Sequence, residues 1–303
     1  MAPPARILLD GGSTDDPTLG DQEGSAYHGD YRQQMSHPLL VFAGETGHLI
    51  TAILRPGTVH ASRVVVLVLR RLIRLRRARW PPVPIELRAD SGVAIPRVDR
   101  FCEEHGVTDT IGRATNSRLK PLAQALRAEA VAQQKATGNP QVRLVGEATD
   151  AAESWGKERR VVYKAEALVK GPNTRFVVTT RTDPPLAVDD FSVDRGTPEQ
   201  WGPEGTPQLK STGFADRLSC CDFWPNQFRL LLSAATDWLL HTLRGWLERA
   251  TSAPMRRETL RLAVLKVGGR VSQDADRIRL RLASSHPGQT LWPILDRYPR
   301  RRE

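Results

Sequence analysis

A chain of 303 residues can hold one large domain or two ordinary ones, with a real core. Its 44 Lys and Arg outnumber 34 Asp and Glu, and the formal net charge of +10 favours a polyanionic partner such as nucleic acid, the alternative source being an Arg-rich proteome. Three cysteines (Cys102, Cys220, Cys221) exclude a disulfide framework and a zinc spacing, the start lacks a signal-peptide layout, and the apolar run 64–69 is too short to cross a bilayer, so the composition predicts a cytoplasmic protein.

Residues 7–10 read as a short buried strand that breaks off at Asp10 and the glycine pair after it. Residues 38–42 and 48–54 read as the next two strands, joined by the hairpin chemistry of Gly44-Glu45-Thr46-Gly47. Residues 61–79 predict a helix with Val65, Leu69, Leu72 and Ile73 at helical spacing and arginines from Arg70 to Arg79 crowding its second half. Such a helix can lie on a membrane or on DNA, or pack on a sheet with its cations near its C-terminus. Pro81-Pro82 ends it, and a strand at 83–87 delivers Asp90 just past its end.

A helix at 98–105, a strand at 107–112 and an Ala-rich helix at 119–135 follow. Strands are predicted at 142–147, 159–168 and 174–180, the last two separated by Lys170-Gly171-Pro172-Asn173. Residues 222–247 form a long helical pattern interrupted early by Pro225, and 264–282 read as a small β-hairpin. The segment 286–303 is a basic tail. The expected class is α/β: a mixed sheet flanked by helices, with a β-rich insertion at about 140–190. That insertion separates Asp90 from a third acid, Glu199, in the stretch DRGTPEQW at 194–201. Carboxylates at neighbouring strand ends can meet in one cleft, and three on a basic chain suggest a divalent-metal site that cuts or joins a phosphate backbone.

The motifs LLDGGSTDDPTLGDQEGS (8–25), HPLLVF (37–42), LRPGTVH (54–60), LRADSG (87–92), ESWGKERRVVYKAE (153–166), RGTPEQW (195–201) and NQFRLLL (226–232) follow a shared order and spacing. In these the chain resembles the DDE transposases of bacterial insertion sequences over residues 5–285. The resemblance implies an RNase H-like catalytic domain spanning 1–285 and Mg²⁺-dependent cleavage and transfer of DNA strands. It implies two Mg²⁺ ions about 3.5–4 Å apart held by Asp10, Asp90 and Glu199. Arg195 is expected on DNA phosphate. The implied partner is double-stranded DNA, both the element's terminal inverted repeats and its target, with a homodimer on DNA.

The sequence departs from that pattern. Gly12 stands where the family's metal-binding Asp of the first motif is expected, and Asp10 occupies the other Asp place. Ser192 replaces a Tyr, Gly202-Pro203 disturbs the stretch after Trp201, and Thr206 replaces a Lys. The region that precedes the first acid in the family is missing, so the chain reads as a truncated copy of weak or absent activity. The alternatives are a non-catalytic DNA-binding remnant and a stand-alone RNase H-like nuclease. Taken singly, Asp10 is also an ordinary turn residue after a strand, and Glu199 a solvated helix-start glutamate. Asp15 and Asp16 read as loop or capping residues, His28, His37 and His60 as structural, and Trp155, Trp201, Trp224 and Trp246 as packing residues or platforms for flipped bases.

Overall fold

The computed structural model describes residues 3–151, 155–194, 218–275 and 277–296. Its first strand, β1 (Ile7–Ser13), runs straight through Gly11 and Gly12 instead of stopping at Asp10. The reason is pairing on both edges: β5 (Leu39–Ala43) lies antiparallel on one side and β7 (Ile85–Ala89) parallel on the other. A central ladder holds glycines extended that would end an isolated strand.

β6 (Leu49–Ile53) continues the meander antiparallel to β5 across the predicted Gly44–Gly47 turn, and β8 (Val107–Arg113) lies parallel to β7. The order β6-β5-β1-β7-β8 is thus 3-2-1-4-5 in chain order, the middle strand being the first in sequence among the five. β9 (Gln141–Asp150), β10 (Arg159–Leu168) and β11 (Gly171–Thr179) extend this same sheet to eight strands, β11 pairing antiparallel with β8. The stretch expected as a β-rich insertion therefore forms three further strands of the same sheet. Its inner turn is tighter than expected: Gly171 already pairs with Leu168, and Pro172 with Ala167.

Alternation sorts the strands into two faces. Leu9, Ile85, Leu87 and Ile111 turn to the face covered by α1 (Val65–Arg79) and α2 (Pro96–Glu104), and α3 (Leu119–Thr137) packs on Val161, Phe176 and Val178 of the insertion. α1 buries Val65, Leu69, Leu72 and Ile73 and leaves Arg70, Arg71 and Arg74 in solvent, so it is a sheet-packed helix with a basic outer surface. The opposite face carries α4 (Pro185–Val193) and α5 (Phe223–Thr251); Val188 packs on Val162 and Val177, and Leu230 on Leu40, Phe42 and Leu49. Pro225 does not interrupt α5. It lies in the first turn, where the missing N–H has no helical partner to lose.

Two small sheets were not predicted at their full extent. β2 (Asp16–Pro17), β3 (Ala26–His28) and β4 (Gln33–Ser36) form a three-stranded sheet between β1 and the meander. β12 (Gly269–Asp274) and β13 (Arg277–Leu282) form the expected hairpin, but residues 261–265 before it are a turn of π-helix. No helix among the described residues is long and apolar enough to cross a membrane.

Candidate functional site

Asp10 lies in β1, on the face of the sheet opposite α1 and α2, and Asp90 is the first residue past the end of the neighbouring parallel strand β7. Asp10 pairs in register with Arg88. The Arg88 guanidinium grips it as a fork, Nε donating to Oδ1 at 2.6 Å and Nη2 to Oδ2 at 2.8 Å. Both residues are sealed, Asp10 at 4% and Arg88 at 3% exposure. Arg88 Nη1 donates to the Phe191 carbonyl at 2.7 Å, and the guanidinium carbon lies 4.9 Å from the centre of the Phe191 ring. Arg181 also approaches that ring, at 4.2 Å, and binds Glu86 at 2.5 Å. Gly44 closes the β5–β6 turn over the carboxylate. A Cβ there would fall 2.6 Å from Asp10 Oδ2, so the position admits no side chain without a shift.

Asp90 follows β7 directly and is half-buried. Its Oδ1 accepts the Gly92 N–H at 2.9 Å, a local turn that orients the carboxylate. With Ser91, Gly112, Arg113, Asn173 and Ser192 it lines a cleft of about 510 Å³. The β1–β7 ladder ends at Gly11↔Ala89. One step further the same register sets Gly12 beside Asp90, while Asp10 sits a full pleat repeat back, roughly 6.6 Å along the strand. The place next to Asp90 therefore carries a glycine, on one side Gly12 and on the other Gly112, whose Cβ would lie 3.3 Å from the Ser91 nitrogen.

Behind Asp90, Arg55 ties the chain together. It donates to the carbonyls of His37 (2.7 Å), Ala61 (2.6 Å) and Arg63 (3.1 Å) and to Ser13 Oγ (2.7 Å). Burial pushes its pKa down to about 10, against the favourable field of Asp90. Burial also lowers His37, although its ring donates to the Val59 carbonyl at 3.1 Å. Two arginines that matter here, Arg88 and Arg55, escaped the sequence reading. Arg88 had a signal: in Ile85-Glu86-Leu87-Arg88-Ala89 the charged residues alternate with apolar ones, which on a central strand demands a buried partner.

Among the described residues no three His, Cys, Asp or Glu side chains converge to hold a metal ion. The described donors do not fit a two-metal site: Arg88 engages Asp10, Gly12 offers no carboxylate, and Asp90 is the acid that lines the cleft among the described residues. Arg195, Glu199, Gly202-Pro203 and Thr206 lie outside the described residues, as do residues 297–303 of the expected tail 286–303, whose described part instead forms the short helices Gln289–Leu291 and Trp292–Asp296 packed beside Leu240 and Leu247. Ser192 and Val193, which precede that stretch at the end of α4, line the Asp90 cleft.

A sequence profile described as transposase DDE domain group 1 matches residues 1–300. A cryo-EM structure of the piggyBac transposase synaptic complex with hairpin DNA is similar at 13% identity and a TM-score of 0.48, covering 85% of this chain. The chain spans 50% of the length of that structure's chain. No curated protein matches the sequence.

Proposed function

Because the chain belongs to the transposase DDE domain group 1 family, we propose that it is the DNA-handling catalytic domain of an insertion-sequence transposase whose carboxylate set is incomplete. The proposed ancestral chemistry is cleavage of a DNA phosphodiester and transfer of the freed 3′-hydroxyl to a target strand. One observation supports the reading: Asp90 stands just past the end of β7 in a 3-2-1-4-5 sheet, where carrying the Gly11↔Ala89 register one step further would set it beside Gly12 and two acids at those places would share a cleft. Asp90 and Glu199 are the proposed remaining acids, Arg195 the proposed phosphate contact, and Mg²⁺ the ion the family resemblance implies. In this reading Asp10 acts at one remove, by fixing Arg88, which holds the Phe191 carbonyl next to the cleft-lining Ser192. Strand cleavage by this chain is then weak or absent.

A second reading, a DNA-binding protein without strand cleavage, is favoured by the same Asp10–Arg88 closure. Duplex nicking with Mg²⁺ or Mn²⁺ separates the two, using the natural chain, Gly12→Asp, and Gly12→Asp with Asp90→Asn. The proposal expects Gly12→Asp to raise nicking at least tenfold and the added Asp90→Asn to abolish the gain. Nicking by the natural chain that ignores Asp90→Asn would place the chemistry elsewhere. Duplex binding with no nicking in any variant would support the second reading.

A further inference from the structure

The β12–β13 hairpin pairs with neither of the other sheets, and its strands are exposed along almost their whole length. Its register places Arg270 opposite Arg281, Ser272 opposite Arg279 and Asp274 opposite Arg277. Cross-strand partners share a face, and that face alternates with the one bearing Val271, Gln273, Ile278 and Leu280. Four arginines therefore project from one face of a two-stranded ribbon, while Val271, Ile278 and Leu280 occupy the other. All four arginines are exposed. Arg279 reaches Asp274 at 3.4 Å, and the other three form no ion pair among the described residues.

Like charges directly opposite each other weaken a sheet, and Arg270–Arg281 is such a pair. A free-standing hairpin is itself marginal in water. An anion spanning both strands would relieve the repulsion and order the ribbon together. Same-face side chains recur every ~6.8 Å along each strand, with about 4.8 Å between strands. Guanidinium forks at that density match a row of phosphates better than a single carboxylate. A two-stranded ribbon also fits the width of the DNA major groove.

We propose that the arginine face of this hairpin is a separate contact for the phosphate backbone of duplex DNA. It gives affinity without reading base sequence. The inference rests on the reading of the chain as a DNA-handling protein but not on the Asp90 cleft, since no residue of the ribbon lines it.

The test is the salt dependence of binding to a short duplex, measured on the full chain by fluorescence anisotropy. Replacing Arg270, Arg277, Arg279 and Arg281 by Gln is expected to make the slope of log K against log salt shallower by about 3.6, at about 0.9 for each charge removed. Replacing the same four by Lys should keep the slope, since counterion release follows charge; this variant separates lost contact from lost folding. An unchanged slope in the Gln variant, with the natural chain binding duplex, overturns the ribbon contact and leaves the DNA-handling reading standing. A natural chain that binds no duplex overturns both. Binding of anionic lipid vesicles through these arginines, with duplex ignored, overturns the assignment in favour of a membrane surface.

Discussion

Asp10 and Asp90 are two aspartates, one inside β1 and one just past the end of the neighbouring β7, and their surroundings are opposite. Asp10 lies inside the ladder, under the Gly44 turn, with a forked arginine across from it. Asp90 lies just past the ladder's end, at a cleft, with its carboxylate oriented by a backbone N–H. The difference is one of register. A strand residue whose neighbours on both sides are paired must find its counter-charge within the sheet, whereas a residue one step past the pairing can face a ligand.

The sharpest way to break this comparison is Arg88→Met. It would remove the forked guanidinium from the buried Asp10 carboxylate, and we expect a loss of about 3–5 kcal/mol in urea unfolding. Adding Asp10→Leu should recover most of it. A cost below about 1 kcal/mol for Arg88→Met would mean that water reaches Asp10, and the distinction would fail.

Asp109 sharpens the comparison from the other face of the sheet. It is fully buried like Asp10 but is answered by a hydroxyl, Thr180 Oγ1 donating to Oδ1 at 2.7 Å. Burial pushes its pKa up to about 6 from 3.8, with Thr180 opposing the shift. A carboxyl whose folded value is raised favours folding when protonated. Its contribution is complete below about 3.8 and is lost as pH rises through about 6. Asp109→Asn is expected to stabilise the fold by about 3 kcal/mol above that range and to flatten its pH profile between the two values. A variant less stable than the natural chain above about pH 6 would show that the ionised carboxylate is held by its surroundings.

The smallest effect is expected at Asp90. Asn keeps the oxygen that accepts the Gly92 N–H, so Asp90→Asn should alter stability by less than about 1 kcal/mol in the same unfolding assay. A cost comparable to that of Arg88→Met would make Asp90 a second structural acid.

Most of the large elements were legible in the sequence because their periodicities are strong: the meander, α1, β7, α3 and the β9–β11 stretch fall where alternation and turn chemistry put them. The misses share a cause. Gly11 and Gly12 read as the end of a strand because glycine is a poor strand former alone, and only pairing on both edges holds them extended. The sheet of β2, β3 and β4 is made of short polar strands without an apolar alternation to announce it. Asp90 could be placed at a strand end from LRADSG. Gly12 could be singled out by the resemblance as the place of a missing acid, but the Arg88 partner of Asp10 could not, because it follows from a parallel register between segments far apart in sequence.

That separation has a consequence during synthesis. Asp10 and Arg88 are 78 residues apart. At about 5–20 residues per second, roughly 4–16 s pass between the emergence of β1 and that of the strand that completes its ladder. In that interval β1 can pair with β5 alone, and the edge that later meets β7 stays open beside an aspartate that still needs water. A charge on an unfinished strand edge discourages edge-to-edge association. Asp10 is such a charge, and Arg88 neutralises it only once β7 is in place.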